Sequence, residues 1–357
     1  MSELSLHDYF QELGVQFTEV NGMEAVESFG DVLAEYAALR NSAGVLDLSF
    51  RGRLSLGGAD RNRFLHGQVT NNVTDLKPGE GCYAALTSAK AKMQSDLNIY
   101  CLRDELLLDF EPGFSAAVTD RLERYVIFED VTVIDVAPHY GLLTVQGPQA
   151  GNVIASAGLE LELPAERLKF TTTNSPALGE LYCMNQPRGD SMGFDLFVPA
   201  SHLRVAAEKL FAAAKSAAGR PCGWQALETV RIEAGIPRFG ADMDETNLPP
   251  ETGIESRAIS YSKGCYIGQE VIARIRTYGQ PAKTLRNLCL AGDLLELPKK
   301  GDKLFYGEKE AGYITSAVTS PKFRSHIALG YVRREFNNSG TELTLHSAAG
   351  ESPAVVA

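Results

Sequence analysis

Three short stretches carry residue types that could do chemistry. In KGCYIGQE, Lys263 to Glu270, a cysteine stands between Gly264 and Gly268, just ahead of the helix-forming run VIARIRTYG. A thiol before a helix N-terminus and beside a lysine is favoured as thiolate, the form that binds metal or exchanges with disulfides. The same pattern also suits a packing cysteine in a loop shaped by glycines. In MQSDLNIYC, strand alternation puts Gln94, Asp96, Asn98 and Tyr100 on one face, and Met93, Ser95, Leu97, Ile99 and Cys101 on the other. The polar set is either a solvated sheet face or the lining of a cleft for a flat heteroaromatic ligand carrying several N–H groups. In WQALETVRIEAG, Arg231 falls in one apolar stripe with Trp224, Leu227 and Ala234. A guanidinium there needs a partner, and an internal ion pair with Glu233 or a more distant acid competes with a ligand role. Asn71 and Asn72 pose the same choice between a turn and a pair of amide ligands.

The surrounding elements must position these residues. The segment 45–58 alternates as strands and ends at Gly57-Gly58; 59–73 reads as a short helix with Phe64 and Leu65 inward; 82–102 reads as a hairpin with 104–112 beside it. Segment 114–128 has helical spacing, and 131–135, 141–148 and 193–199 read as strands. Segment 201–219 reads as a helix with Ser201 as N-cap and Gly219 as its stop. The helix after Cys265 begins near Gly268 or Gln269, presents Val271, Ile272, Ile275 and Tyr278 as its apolar face, and ends at Gly279. After Pro281, short strands recur without helical periodicity. The pattern predicts an α+β chain with mostly antiparallel sheets over 1–280 and a small β-barrel or sandwich over 281–357.

Composition narrows the partners. A net charge of −11 disfavours nucleic acid and acidic membranes as general partners. The N-terminus has no basic segment followed by an apolar run, and no stretch approaches the roughly 18 apolar residues of a membrane span, so a cytoplasmic location is expected. The six cysteines form no C-x-x-C unit, which argues against a metal site or a self-contained iron–sulfur site. Apart from Cys265, they are expected to be mainly structural.

Several stretches together resemble the glycine-cleavage T-protein (aminomethyltransferase) superfamily: NSAGVLDLSFRGRLSLGGADRNRFLHGQVTNNV, LETVRIEAGIPRFGADMDETNLPPE and GYITSAVTSPKFRSHIALGYVRRE. Within it, KGCYIGQE and KMQS are similar to the YgfZ family, tetrahydrofolate-binding proteins that assist iron–sulfur cluster assembly or repair. The resemblance implies two ferredoxin-like antiparallel subdomains plus a C-terminal barrel, with tetrahydrofolate as cofactor. It implies that activity depends on Cys265, and that iron–sulfur client or assembly proteins are transient partners. It also implies that Asp96 stands where the T-protein's catalytic aspartate is expected, and that Arg231 matches the arginine of the central signature. The implied folate contacts are Asp96, Asn98, Tyr100, Arg231, Asp195 and Asn72. RGDSMGFDL (188–196) departs from the acid-bearing glycine-rich segment of T-proteins, where only Asp195 keeps a carboxylate. The alternative function is a tetrahydrofolate-dependent aminomethyl transfer in which Asp96 polarises the attacking folate nitrogen.

Overall fold

The hairpin and the strand beside it form as their alternation dictates. Gly81–Thr87, Met93–Cys101, Leu106–Phe110, Gly52–Gly57 and Thr132–Asp135 lie in that order in a five-stranded sheet. The structure, a computed structural model, describes residues 2–357. Contacts divide the chain into two units. The first comprises the chain up to His66, Asn72–Tyr83 and Leu97–Val230; the second comprises Gly67–Asn71, Ala84–Asp96 and Arg231–Ala357.

In the first unit a second sheet runs Phe170–Ser175, Gly179–Asn185, Gly193–Pro199, Tyr140–Gln146, Gly44–Asp47, Arg220–Pro221. Its strands pair antiparallel except the last pair, Arg220–Pro221 against Gly44–Val45. Helix Leu203–Ser216 buries Leu203, Ala206, Ala207, Leu210, Ala213 and Ala214, one stripe at helical spacing, in the same core as Val45, Leu142, Val145 and Leu196. The caps of this helix differ from expectation. The chain enters through a 3-10 turn, Ala200–His202, so His202 is the N-cap, and the Ser201 hydroxyl lies 3.0 Å from His202 Nδ1. At the far end Ala218, not Gly219, takes the left-handed φ of +56°. Gly219 answers a close approach instead, because a Cβ there would come within 2.2 Å of the Ala43 carbonyl.

In the second unit the expected barrel closes, in the order Lys283–Leu290, Ser325–Arg333, Lys309–Ser320, Lys303–Tyr306, Glu342–Ser347, Gly350–Val356. Closure leaves no unpaired strand edge. Leu288, Leu290, Ile314, Ala328, Leu343, Leu345, Ala354 and Val356 fill its interior, and the alternation along Lys283–Leu290 sends Asn287 and Cys289 outward. Helix Gln269–Tyr278 begins where the sequence predicted, with Gly268 left-handed at φ +88°. A Cβ at Gly268 would lie 2.6 Å from the Ser88 carbonyl, so both the backbone angle and the space require glycine. Tyr278 departs from the predicted apolar face: only Ile272 is fully buried, and Tyr278 is 85% exposed. Among the described residues, no helix is long and apolar enough to cross a membrane.

Candidate functional site

A network of buried charges occupies the first unit. Arg51 and Arg53 leave adjacent odd positions of one short segment, and Asp109 interrupts the apolar strand Leu106–Phe110. Arg51 grips Asp109 with both prongs, Nε to Oδ1 at 2.8 Å and Nη2 to Oδ2 at 3.1 Å, and donates through Nη1 to Glu111. Asn98 adds a bond from Nδ2 to Asp109 Oδ2 at 3.0 Å. Arg188 lies 3.8 Å from the same oxygen and is itself bidentate on Asp195, Nε to Oδ1 at 3.1 Å and Nη2 to Oδ2. Gln146 Oε1 holds the Arg188 backbone N–H at 2.9 Å, an approach that Gly193 permits because a Cβ there would strike the Gln146 amide. Tyr100 is wholly buried, and its hydroxyl has no hydrogen-bond partner.

The two carboxylates are driven apart. Burial opposes ionisation of Asp109, but Arg51, then Arg188, and the bonds from Arg51 and Asn98 overcome it and hold its carboxyl below the ordinary range. Burial also dominates at Asp195 and pushes its carboxyl up, against the pull of Arg188 and with the push of Asp109. Burial raises the Tyr100 phenol as well, with Asp195 and Asp109 adding to it. Paired groups whose environments separate their proton affinities are a mark of sites that move or hold protons.

Of the predicted contacts, the structure gathers Asn98, Tyr100 and Asp195 in this unit. Arg51, Asp109, Glu111 and Arg188 went unpredicted, although an acid inside LLLDF already demanded a buried partner. Asn72 makes a turn: its Oδ1 accepts from the Asp75 N–H at 3.4 Å and the Thr74 hydroxyl at 3.0 Å, and its Nδ2 donates to Asp75.

The second unit holds the other candidates. Asp96 is half-buried on Met93–Cys101. Arg231 is 3% exposed and its guanidinium serves an internal ion pair with Asp242, with further bonds to the Ile236 carbonyl at 3.3 Å and the Ser316 hydroxyl at 2.9 Å. Asp242 in turn receives Thr315 and Ser316 at 2.6 and 2.7 Å. The internal ion pair that the sequence allowed is therefore present. The partner is Asp242, while Glu233 instead accepts from Ser320.

Cys265 is exposed. Lys263, expected to lend its charge to the thiol, sends its ammonium to backbone carbonyls. Lys263 is 8% exposed, its Nζ donates to the carbonyls of Val69 at 2.7 Å and Asn71 at 3.0 Å, and it lies over the Tyr266 ring. Arg274 faces Glu270 at 3.7 Å. Cys289 is exposed too and Cys82 half-buried, so the expectation of five structural cysteines holds for Cys101, Cys183 and Cys222 only. Burial raises the thiols of those three, Cys183 and Cys222 most strongly. Iodoacetamide labelling of the folded protein, read by peptide mass spectrometry, is expected to modify Cys265 and Cys289 first and Cys183 and Cys222 last. Equal rates would contradict these exposures. No group of three or more His, Cys, Asp or Glu among the described residues could hold a metal ion.

Residues 6–263 match the GCVT N-terminal domain and residues 283–357 match the glycine cleavage T-protein C-terminal barrel domain. An aminomethyltransferase of Halalkalibacterium halodurans is 28% identical over 97% of this chain and 94% of its own length. One from Streptomyces coelicolor is 28% identical over 92% of this chain and 89% of its own. Among solved structures, the glycine cleavage system aminomethyltransferase T of Bartonella henselae superimposes with a TM-score of 0.89, at 23% identity, covering 99% of this chain and 96% of that one.

Proposed function

The chain belongs to the glycine cleavage T-protein family, and from that premise we propose that it binds reduced folate and transfers an aminomethyl carbon onto it. One observation carries the reading: the two oxygens of Asp195 are already arranged to receive a parallel pair of N–H groups, supplied at present by Arg188. A pterin ring presents an amidine-like N–H pair of the same geometry. Asn98 and the unsatisfied Tyr100 hydroxyl stand in the same unit as further polar contacts. Arg188 is the member of the network nearest solvent, its side chain 13% exposed, and Asp109 at 3.8 Å is the acid to which it can move when a ligand takes Asp195.

In this reading one folate nitrogen attacks the carrier-bound carbon and loses a proton as the C–N bond forms, the amine departing as ammonia; a second folate nitrogen then attacks the same carbon, the bond to the carrier breaks, and the carrier leaves with the second proton. The family resemblance, and no placement beside Asp195, is the ground on which Asp96 is proposed to accept the first proton. The relatives' names favour transfer over an accessory role. Calorimetric titration with tetrahydrofolate is expected to show saturable binding that Asp195→Asn weakens about tenfold or more, a loss of about 1.4 kcal/mol or more. Arg231→Met is expected to leave it within about twofold, because that guanidinium serves Asp242. Absence of saturable binding would overturn the reading.

The exposed Cys265 favours one second reading, a YgfZ-type folate protein assisting iron–sulfur enzymes. A lone thiolate cannot hold a cluster, so contact would be shared with a client protein or small thiol. Rescue of iron–sulfur enzyme activity in cells lacking this protein, lost with Cys265→Ser and kept with Asp96→Asn, would select this second reading.

A further inference from the structure

Arg53 is the bulkiest of the wholly buried side chains, and its charge is poorly met. One nitrogen, Nη2, donates to three carbonyls, of Ser49 at 3.0 Å, Ala137 at 3.1 Å and Tyr140 at 2.8 Å. Nε and Nη1 have no hydrogen-bond partner. Asp109 and Asp47 favour its charge through the field, Asp135 less so, and Arg51 opposes it; burial still pushes the guanidinium down to about 10. Asp109 already receives three bonds from Arg51 and Asn98 and makes no hydrogen bond to Arg53. A buried donor left unmet costs about 1–3 kcal/mol, more when charged, so three such N–H bonds call for an occupant.

Space for one exists. Arg53 lines a cavity of about 50 Å³ with Ser55 beside it and Leu107, Val136, Tyr140 and Phe197 as apolar wall. A water needs roughly 10–15 Å³, so the cavity takes about three or four heavy atoms, the size of a carboxylate and its first carbon. Leu102, Glu105 and Tyr182 are shared with a larger cleft of about 640 Å³, to which Asp104 and Glu180 add two more acids and Arg103 one base. Glu105 is held by the Ser55 hydroxyl, and Tyr182 donates to Glu180 at 2.6 Å. A plain anion would be drawn to Arg53 and repelled by these acids, whereas water alone would leave the guanidinium with no anion in hydrogen-bond contact.

We propose that this is a site for a short zwitterion, a small amino acid whose carboxylate sits on Arg53 and whose ammonium faces Glu105. It stands apart from the folate reading, which uses neither Arg53 nor Glu105. The test is ligand-observed NMR and calorimetry on the full chain with alanine, and with its two halves, propionate and ethylammonium. Alanine is expected to bind saturably and at least about tenfold tighter than either half, the 1.4 kcal/mol of one added charge contact. Arg53→Met is expected to abolish alanine binding, and Val136→Phe to abolish it by filling the cavity while Arg53 stays. Alanine that does not saturate, propionate that binds equally well, or binding that survives in either folded variant overturns the proposal. If Arg53→Met does not fold, Val136→Phe alone decides.

Discussion

Asp96→Asn is expected to slow tetrahydrofolate-dependent release of ammonia from an aminomethylated carrier by roughly 10²–10⁴-fold, the contribution of one positioned acid–base group. The substitution keeps the shape of the side chain and an acceptor oxygen, so folate affinity should change little. It removes the ability to take a proton from the nitrogen that attacks. A fall confined to kcat is the signature of an interaction made only in the transition state, whereas a rise in KM alone would mean that Asp96 merely holds the ligand. Cys265→Ser provides the contrast: transfer chemistry needs no thiol, so turnover should stay at the wild-type level. Single-turnover rates for the two variants would separate the readings. An Asp96→Asn protein that turns over like wild type removes Asp96 from the chemistry, and a Cys265→Ser protein that fails would return the thiol to the centre of the function.

Much of the fold was legible because it rests on local periodicity. The barrel strands announce themselves by alternation, and the same alternation placed Cys289 outward beside Leu288 and Leu290, a signal available in RNLCL and not used. The helix after Cys265 was legible from Gly268, whose positive φ no side chain tolerates well at that spacing from Ser88. The stripe carrying Arg231 was legible as a helix face, and so was its need for a partner; that the partner is Asp242, eleven residues on, depends on how the chain returns through Ile236 to Asp242. The site was less legible for the same reason. Arg51 and Asp109 are 58 positions apart and meet only because Gly52–Gly57 pairs with Leu106–Phe110. Arg188 and Asp195 are close in sequence, but nothing in RGDSMGFDL says that the chain folds the arginine back onto the strand it precedes. Lys263 reads as a neighbour of Cys265 by position, yet its long stem carries the ammonium to the carbonyls of Val69 and Asn71.

The largest loss of stability is expected from Asp109→Asn. Asp109 is wholly buried and is the shared anion of Arg51 and Arg188, with Asn98 completing its bonds. The amide keeps the volume but removes the charge and turns one acceptor into a donor that faces guanidinium. Arg51 would retain Glu111 and Arg188 would retain Asp195, so the network is not emptied, but both lose their common partner. Breaking one side of a buried pair costs about 3–5 kcal/mol, mostly from the uncompensated charge left behind. The pH dependence gives the mechanism a second handle. The folded protein holds the Asp109 carboxyl below its ordinary range, so the unfolded chain binds the proton more readily. The stability Asp109 provides is therefore complete above the unfolded value of about 3.9 and is lost as pH falls through its folded value. Asp195 has the opposite sign: burial raises it, so its contribution is complete below that unfolded value and is lost as pH rises through its folded one. Denaturant unfolding of wild type and Asp109→Asn should then show a gap that is constant between neutral and mildly alkaline pH and narrows under acid, below about pH 4. A gap under about 1 kcal/mol at neutral pH, the scale of an exposed pair, would mean that Glu111 and Asp195 suffice for the two arginines and that Asp109 is not the keystone of the cluster.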